Sequence, residues 1–387
     1  MQHRASKSIP ECEIGDGTRA PGVGSRGLAR VKNVALSIGG LVIALGLAEV
    51  ALRLFSLYSP PDWPPRQLRA GFYRADPLTG YRLYPSTRTC LRYPDQGGPV
   101  FELVSNSDGF RSSRELGEPD PRPRIALLGD SFVFGLGVKE GERFSEVVED
   151  LDPRWRSDNL GMPGFGADLM VRTLEALGKK AKPNVVVLAM YTHDFVRVNP
   201  QYAGMGFPSP KYVLDGGALR EIPFPESAGF RRLRLWQVVQ DLKTRRDPSQ
   251  LALNEALFER FRTLSIQLGA KPVALFLPGR GDVEVDRIRR DALRAWAARR
   301  HVPFRDLSTP IFAAGVELTY IPNNPHWNAR GHRIAGEVLH ALLASEVLPD
   351  AGTAPGSSSL APLPWRRRGP SFCYDALVEG RKSEARP

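Results

Sequence analysis

The sequence predicts an α/β protein: a parallel sheet with helices on both faces, preceded by one apolar helix near the N-terminus. Three observations carry this. Short apolar runs, Ile125–Leu128, Val185–Met190 and Pro272–Leu277, are too short for helices and read as buried strands. Between them lie stretches with apolar residues at helical spacing, such as Leu253, Leu257, Phe261, Leu264 and Leu268. Strands alternating with helices argue for parallel pairing, with both sheet faces covered. Finally, Val34–Ala48 is uncharged and rich in Leu, Ile, Gly and Ala.

Taken in order, residues 1–33 form a polar arm in which Arg4, Lys7, Arg19, Arg26, Arg30 and Lys32 outnumber Glu11, Glu13 and Asp16. The uncharged run alone is short of the roughly 20 residues a span needs. Its helical pattern continues through Glu49-Val50-Ala51-Leu52-Arg53-Leu54-Phe55, where Glu49 and Arg53 are four apart and can pair at an interface. Residues 34–55 therefore read as one transmembrane anchor. The basic arm keeps the N-terminus cytoplasmic and the remainder outside, a single-pass topology in the cell inner membrane. A cleaved signal peptide fits the apolar length less well, because the arm is long and no small-x-small site follows.

Residues 56–121 form a spacer and lead-in. Ser59-Pro60-Pro61-Asp62-Trp63-Pro64-Pro65 is stiff and extended, and short strands such as Phe101–Val104 follow. The α/β domain occupies 122–348. Its strands are read as Arg124–Leu128, Asn184–Met190, Pro272–Leu277 and Val302–Asp306. Further helical faces are Met170/Leu174/Leu177, Ile288/Ala292/Trp296 and Ile334/Val338/Leu342. An insertion at about 195–248, rich in Pro, Gly, Tyr and Arg, breaks the rhythm and is a candidate lid or substrate wall. Residues 349–387 lack periodicity and read as a disordered tail.

Across its 387 residues the chain is 42% hydrophobic and 25% charged, the balance of a globular protein. The net charge of +11 gathers at Arg231/Arg232/Arg234, Lys243/Arg245/Arg246 and Arg366–Arg368. No nucleic-acid-binding module accompanies it, so nucleic acid is not an expected partner. Solvated faces, or attraction to anionic lipid or acidic polysaccharide, account for the charge. Cys12, Cys90 and Cys373 lack metal-ligand spacing, and no metal or organic cofactor is expected. Outside the cytoplasm Cys90 and Cys373 could form a disulfide. The aperiodic tail around Cys373 favours three unpaired thiols instead.

The chemistry-bearing residues cluster in four places. Gly129-Asp130-Ser131-Phe132 ends the first strand, the layout that presents a nucleophilic serine at the carboxyl edge of a parallel sheet. Asn159-Leu160-Gly161-Met162-Pro163-Gly164-Phe165-Gly166 is a second Gly-rich turn, read as leading into a helix. The strand at 185–190 runs into Tyr191-Thr192-His193-Asp194, and Asn323-Asn324-Pro325-His326-Trp327 precedes the last helix.

In this order the first, second and last of these blocks resemble those of the SGNH/GDSL hydrolase superfamily, over roughly residues 75–345. Tyr81 and the run Asn106-Ser107-Asp108-Gly109-Phe110-Arg111 look like its membrane-anchored bacterial members. The resemblance implies a three-layer, flavodoxin-like fold, with Ser131 as nucleophile and His326 as base. It also implies an oxyanion hole from the backbone N–H groups of Ser131 and Gly161. Two positions depart from the pattern. His193 stands where the third block has an asparagine that donates to the oxyanion, and its ring depends on tautomer and pH for that role. The alternative is that His193 points away and caps a loop. Asn324 and Asn323 stand where the last block has an aspartate. An asparagine can orient an imidazole but cannot supply negative charge, a loss of about 10⁴-fold in the serine-protease triad. Asp130 and Asp194 are read as loop supports.

The expected activity is that of a membrane-anchored, extracytoplasmic serine esterase or O-acyl-transferring enzyme acting on acyl esters, envelope glycans among them. The alternative is a weakened SGNH domain that binds acylated glycan in an envelope assembly. An unrelated flavodoxin-like binding protein is a third reading, opposed by the ordered Ser, Gly and His blocks.

Overall fold

The structure, a computed structural model, describes residues 24–55, 71–93, 100–200, 202, 204–223, 233–244, 248–281, 284–349 and 373. The first part of the basic arm, the Pro-rich spacer, the clusters at Arg231/Arg232, Arg245/Arg246 and Arg366–Arg368, and the expected disordered tail apart from Cys373 lie outside them. The chain divides into two compact units, Met1–Tyr58 and Ser59–Pro387.

The first unit holds helix α1 (Gly24–Leu54). Its segment Arg30–Leu54 contains an 18-residue stretch with a mean hydropathy of 2.1, so it is long and apolar enough to cross a membrane by length and composition. Leu36, Ile38, Val42 and Leu47 are exposed. Arg53 Nε donates to Glu49 Oε1 at 2.7 Å, the pairing that their spacing allows.

The second unit begins with two antiparallel hairpins, β1 (Tyr73–Asp76) with β2 (Gly80–Leu83) and β3 (Arg88–Arg92) with β4 (Val100–Val104). Its centre is a five-stranded parallel sheet of β5 (Arg124–Gly129), β6 (Arg156–Gly161), β7 (Val185–Tyr191), β10 (Lys271–Leu277) and β11 (Phe304–Asp306). The spatial order is β11-β10-β7-β5-β6, with every pairing parallel. Counted in chain order this is 2-1-3-4-5, the flavodoxin-like doubly wound order, whose ligand crevice opens at the carboxyl ends where the order reverses. Ser131 follows β5, one of the two strands at that reversal.

Side chains alternate faces along a strand, and here both faces are buried. Ala126, Leu128, Val186 and Leu188 face one core, with α4 (Ala167–Ala181), α7 (Pro248–Gln267) and α8 (Glu284–Arg299). Ile125, Leu127, Val185 and Val187 face the other, with α3 (Phe144–Leu151), α9 (Ser308–Ala313), α10 (Val316–Thr319) and α11 (Ala329–Leu342). This is why the strands read as continuous apolar runs.

Three expectations are corrected. Asn159–Gly161 is not part of a turn but the end of a strand, β6. Asp, Asn and Gly disfavour strands, which hid it. It is buried nonetheless because Arg156 bonds Asp158 and Glu118, at 3.0 and 2.8 Å. On α8 the buried stripe is Arg289, Leu293, Trp296 and Ala297, whereas Ile288 is half exposed. Cys90 on β3 and Cys373 form a disulfide, with Cα atoms 5.5 Å apart. Cys373 is buried, so local sequence bias misled the reading of unpaired thiols. The insertion contains α5 (Asp194–Arg197), the hairpin β8 (Lys211–Asp215) with β9 (Ala218–Ile222), and α6 (Arg234–Thr244).

Candidate active site

Ser131 is the first residue of a one-turn helix, α2 (Ser131–Phe134). Asp130 caps it by accepting from the Phe132 N–H at 2.9 Å, which turns the chain sharply off β5. Gly129 is required here, because a Cβ would lie 2.1 Å from Val133. The far end of α2 is held from outside the sheet. Arg111, in the Asn106–Arg111 run, donates to Phe134 O, Gly135 O and Val138 O at 3.2, 2.6 and 2.7 Å. Burial, with Arg143 nearby, pulls its guanidinium down to about 9.

His326 lies in the loop before α11. Residues 321–324 form a turn closed by Asn324 N–H to Ile321 O at 3.0 Å, with Pro322 second and Asn323 third at φ +55°. Asn328 then caps α11, accepting from the Arg330 and Gly331 N–H groups. The loop brings His326 Nε2 to 2.8 Å from Ser131 Oγ. On the other side of the ring, Nδ1 is 2.8 Å from Asn324 Oδ1 and 3.1 Å from the Tyr93 hydroxyl. The rings of Phe132 and Tyr93 flank the imidazole at 5.2 and 5.4 Å.

The Asn324 amide is oriented by its neighbours. Its Oδ1 accepts from the backbone N–H of His326 at 3.0 Å, and its Nδ2 donates to the Tyr93 hydroxyl at 3.3 Å. A flipped amide would set N–H against N–H. Oδ1 therefore faces the ring, Nδ1 carries the proton, and Nε2 is left with a lone pair for the serine. Burial lowers the imidazole to about 4; Asp130 opposes the shift and Arg197 adds to it. The ring is thus neutral, as a general base must be.

Asn323 is exposed and occupies the left-handed turn position, whereas Asn324 touches the imidazole. Of the two, Asn324 is the one that lies beside His326. Asp130 and Asp194 are brought together by Arg197, whose Nη1 bonds both. Asp194 also accepts the Tyr191 N–H at 2.8 Å. Burial, with Asp130 next to it, pushes the Asp194 carboxyl well up, and Arg197 offsets part of this. His193 is exposed, its ring 5.0 Å from that of Tyr191, and its side chain does not cap α5.

Gly161 is corrected as an open oxyanion donor. Its N–H donates to Asn159 Oδ1 at 3.0 Å. The turn that follows, Met162–Phe165, is closed by Phe165 N–H to Met162 O at 3.1 Å, with Pro163 second and Gly164 third at φ +84°. That is a type II turn, whose third residue has its N–H free of the turn's own bond. Among the described residues the Gly164 N–H has no hydrogen-bond partner. The turn adjoins the serine: Met162 N–H donates to Gly129 O at 3.1 Å, and Arg197 links Asp130 to Phe165 O. Two tyrosine hydroxyls fix its carbonyls, Tyr81 on Pro163 O at 2.5 Å and Tyr202 on Gly164 O at 2.8 Å.

No protein-family model and no curated protein matches the chain. Solved structures do. A G-D-S-L family protein from Desulfitobacterium hafniense DCB-2 aligns at 14% identity over 57% of this chain and 100% of its own, with a TM-score of 0.41. A member of the lipolytic protein G-D-S-L family from Veillonella parvula DSM 2008 aligns at 16% over 57% and 96%, TM-score 0.37. An acetyl xylan esterase, AlAXEase, aligns at 12% over 56% and 98%, TM-score 0.37. At TM-scores of this size the likeness assigns no residue a role.

Sequence reasoning missed Tyr93, Arg197, Tyr202 and Gly164. Gly164 had a signal, since Pro-Gly marks a type II turn. The other three come from distant segments and had none.

Proposed function

We propose that this chain is a membrane-anchored serine esterase or O-acyl-transferring enzyme of the SGNH type, acting on acyl esters, with envelope glycans as the substrate class. The observation that carries the reading is the 2.8 Å contact of Ser131 Oγ with a neutral His326 Nε2, the imidazole being held from behind by Asn324. Nε2 takes the hydroxyl proton as Oγ attacks the ester carbonyl. The tetrahedral oxyanion is met by the N–H groups of Ser131 and Gly164, each such donor being worth about 3 kcal/mol. The proposal keeps the exposed imidazole of His193 as a further donor, two residues past β7. The imidazolium then returns its proton to the leaving alcohol. Water completes hydrolysis of the acyl-enzyme, or a sugar hydroxyl completes transfer.

The apolar stretch Arg30–Leu54 supports an anchor, with the basic arm inside. The Cys90–Cys373 disulfide supports an extracytoplasmic main unit, since disulfides persist in oxidising compartments. One observation favours a second reading, a domain that binds acylated glycan with little turnover: the group behind His326 is a neutral amide. A fluorophosphonate probe separates the two. The esterase reading expects labelling of the full-length protein in detergent and none of Ser131→Ala. A folded wild-type protein that resists the probe would shift the assignment to binding.

A further inference from the structure

We propose that Tyr93 is a positioning residue for His326, sharing with Asn324 the place behind the imidazole. The proposal rests on the serine-hydrolase reading above. Tyr93 comes from the lead-in, following β3, and it is buried in the core cluster that also holds Ala126 and Leu128. Its hydroxyl, the Asn324 amide and the imidazole form a closed triangle, with Nδ1 to Oδ1 2.8 Å, Nδ1 to the hydroxyl 3.1 Å and Nδ2 to the hydroxyl 3.3 Å.

The directions of these bonds follow from the amide. Asn324 Oδ1 is pinned toward the ring, so Nδ1 is a donor. The Tyr93 oxygen therefore accepts, from Nδ1–H and from the Asn324 Nδ2–H. Two neutral oxygens thus receive one Nδ1–H, and both dipoles present their negative ends to it. When His326 takes the serine proton the ring becomes cationic, and those oxygens are what it has behind it. An amide oxygen alone is a weak partner for a cation, and a second oxygen adds to it without adding charge. Tyr93 also holds the Asn324 amide in the orientation that selects the tautomer.

The test compares Tyr93→Phe with wild type in the Asn324 chain and again in Asn324→Asp. Phenylalanine keeps the ring packed on His326 and removes only the hydroxyl. The expected result is a labelling rate and kcat about tenfold lower in the Asn324 chain, the scale of one hydrogen bond, with KM unchanged. In Asn324→Asp, where a carboxylate supplies the charge, the same change is expected to cost less than about threefold. Equal losses in both backgrounds, or a rise in KM alone, would show a packing role and overturn the proposal. Wild-type rates in Tyr93→Phe would overturn it while leaving the esterase reading standing. Should the wild-type serine prove inert, ¹⁵N spectra of His326 decide independently. A Nδ1–H tautomer whose Nδ1 signal moves in Tyr93→Phe sustains the proposal, and an unmoved signal overturns it.

Discussion

The parallel sheet and the lead-in hairpins divide the candidate site between them. The sheet side supplies the groups to which the proposed function gives the chemistry: Ser131 at the end of β5 and His326 before α11, with Asn324 beside it. The lead-in supplies groups that hold. Tyr81 fixes the Pro163 carbonyl, Tyr93 meets His326 Nδ1, and Arg111 ties the carbonyls after Ser131. The difference teaches that the candidate reacting groups sit at a strand end and in the loop before α11, while their orientation is set by chain 20 to 50 residues upstream of the serine. Tyr81 bonds the Pro163–Gly164 peptide, whose N–H has no hydrogen-bond partner among the described residues and is the donor the proposed function invokes. A bond accepted at its carbonyl fixes the plane of that N–H and polarises it.

Breaking the sheet side should have the largest effect. His326→Ala and Ser131→Ala are each expected to lower ester cleavage on the order of 10⁴-fold or more, and the double variant to be no slower than either, because both serve one proton-coupled step. Losses that multiply would show that the two do not act as a unit.

Breaking the lead-in should instead unfold it. Arg111→Met leaves Phe134 O and Val138 O without their donor in a buried site and leaves Gly135 O with only the Val138 N–H at 3.3 Å. The expected cost is about 3 kcal/mol or more, read as a fall in Tm. An unchanged Tm would mean that the hairpins do not brace the serine turn.

The smallest effect sharpens the comparison, within the histidine loop. Asn324→Asp should raise turnover about tenfold by placing charge behind the ring, whereas Asn323→Asp, on the exposed turn, should not. The pH profile moves with it. With His326 lowered to about 4, the wild-type base is neutral above that pH, so activity falls only as pH drops through about 4. A carboxylate raises the imidazole, so in Asn324→Asp the acid limb moves to higher pH; an unmoved limb counts against the contact. The same lowered values bear on stability. His326 and His332, the latter pulled to about 3 by burial and then by Arg111, Arg143 and His326, refuse protons that the unfolded chain accepts. Their contribution is complete above the ordinary histidine value of about 6.5 and is lost as pH falls through the folded values.

Much of this was legible in the sequence. Runs such as Val185–Met190 lie buried on both faces, and such burial leaves an unbroken apolar signal. Gly129-Asp130-Ser131 was legible because a turn, its cap and its candidate nucleophile are neighbours in the chain. The edge strand β6 was not, since its burial depends on ion pairs between Arg156, Asp158 and Glu118 that no local pattern reveals. Nor was the engagement of Gly161, because a backbone N–H carries no signature of its partner.

By itself the sequence determined the α/β class, the apolar helix and the residue types able to react, all of which follow from local periodicity and adjacency. Only the tertiary structure decided which neighbours act on them. It set Asn324 rather than Asn323 against the imidazole, joined Cys90 to Cys373 and brought Tyr93 to His326 across 233 positions of chain. Contacts of that separation are fixed by how hairpins and loops pack against the sheet, and packing is a property of the folded whole rather than of any segment.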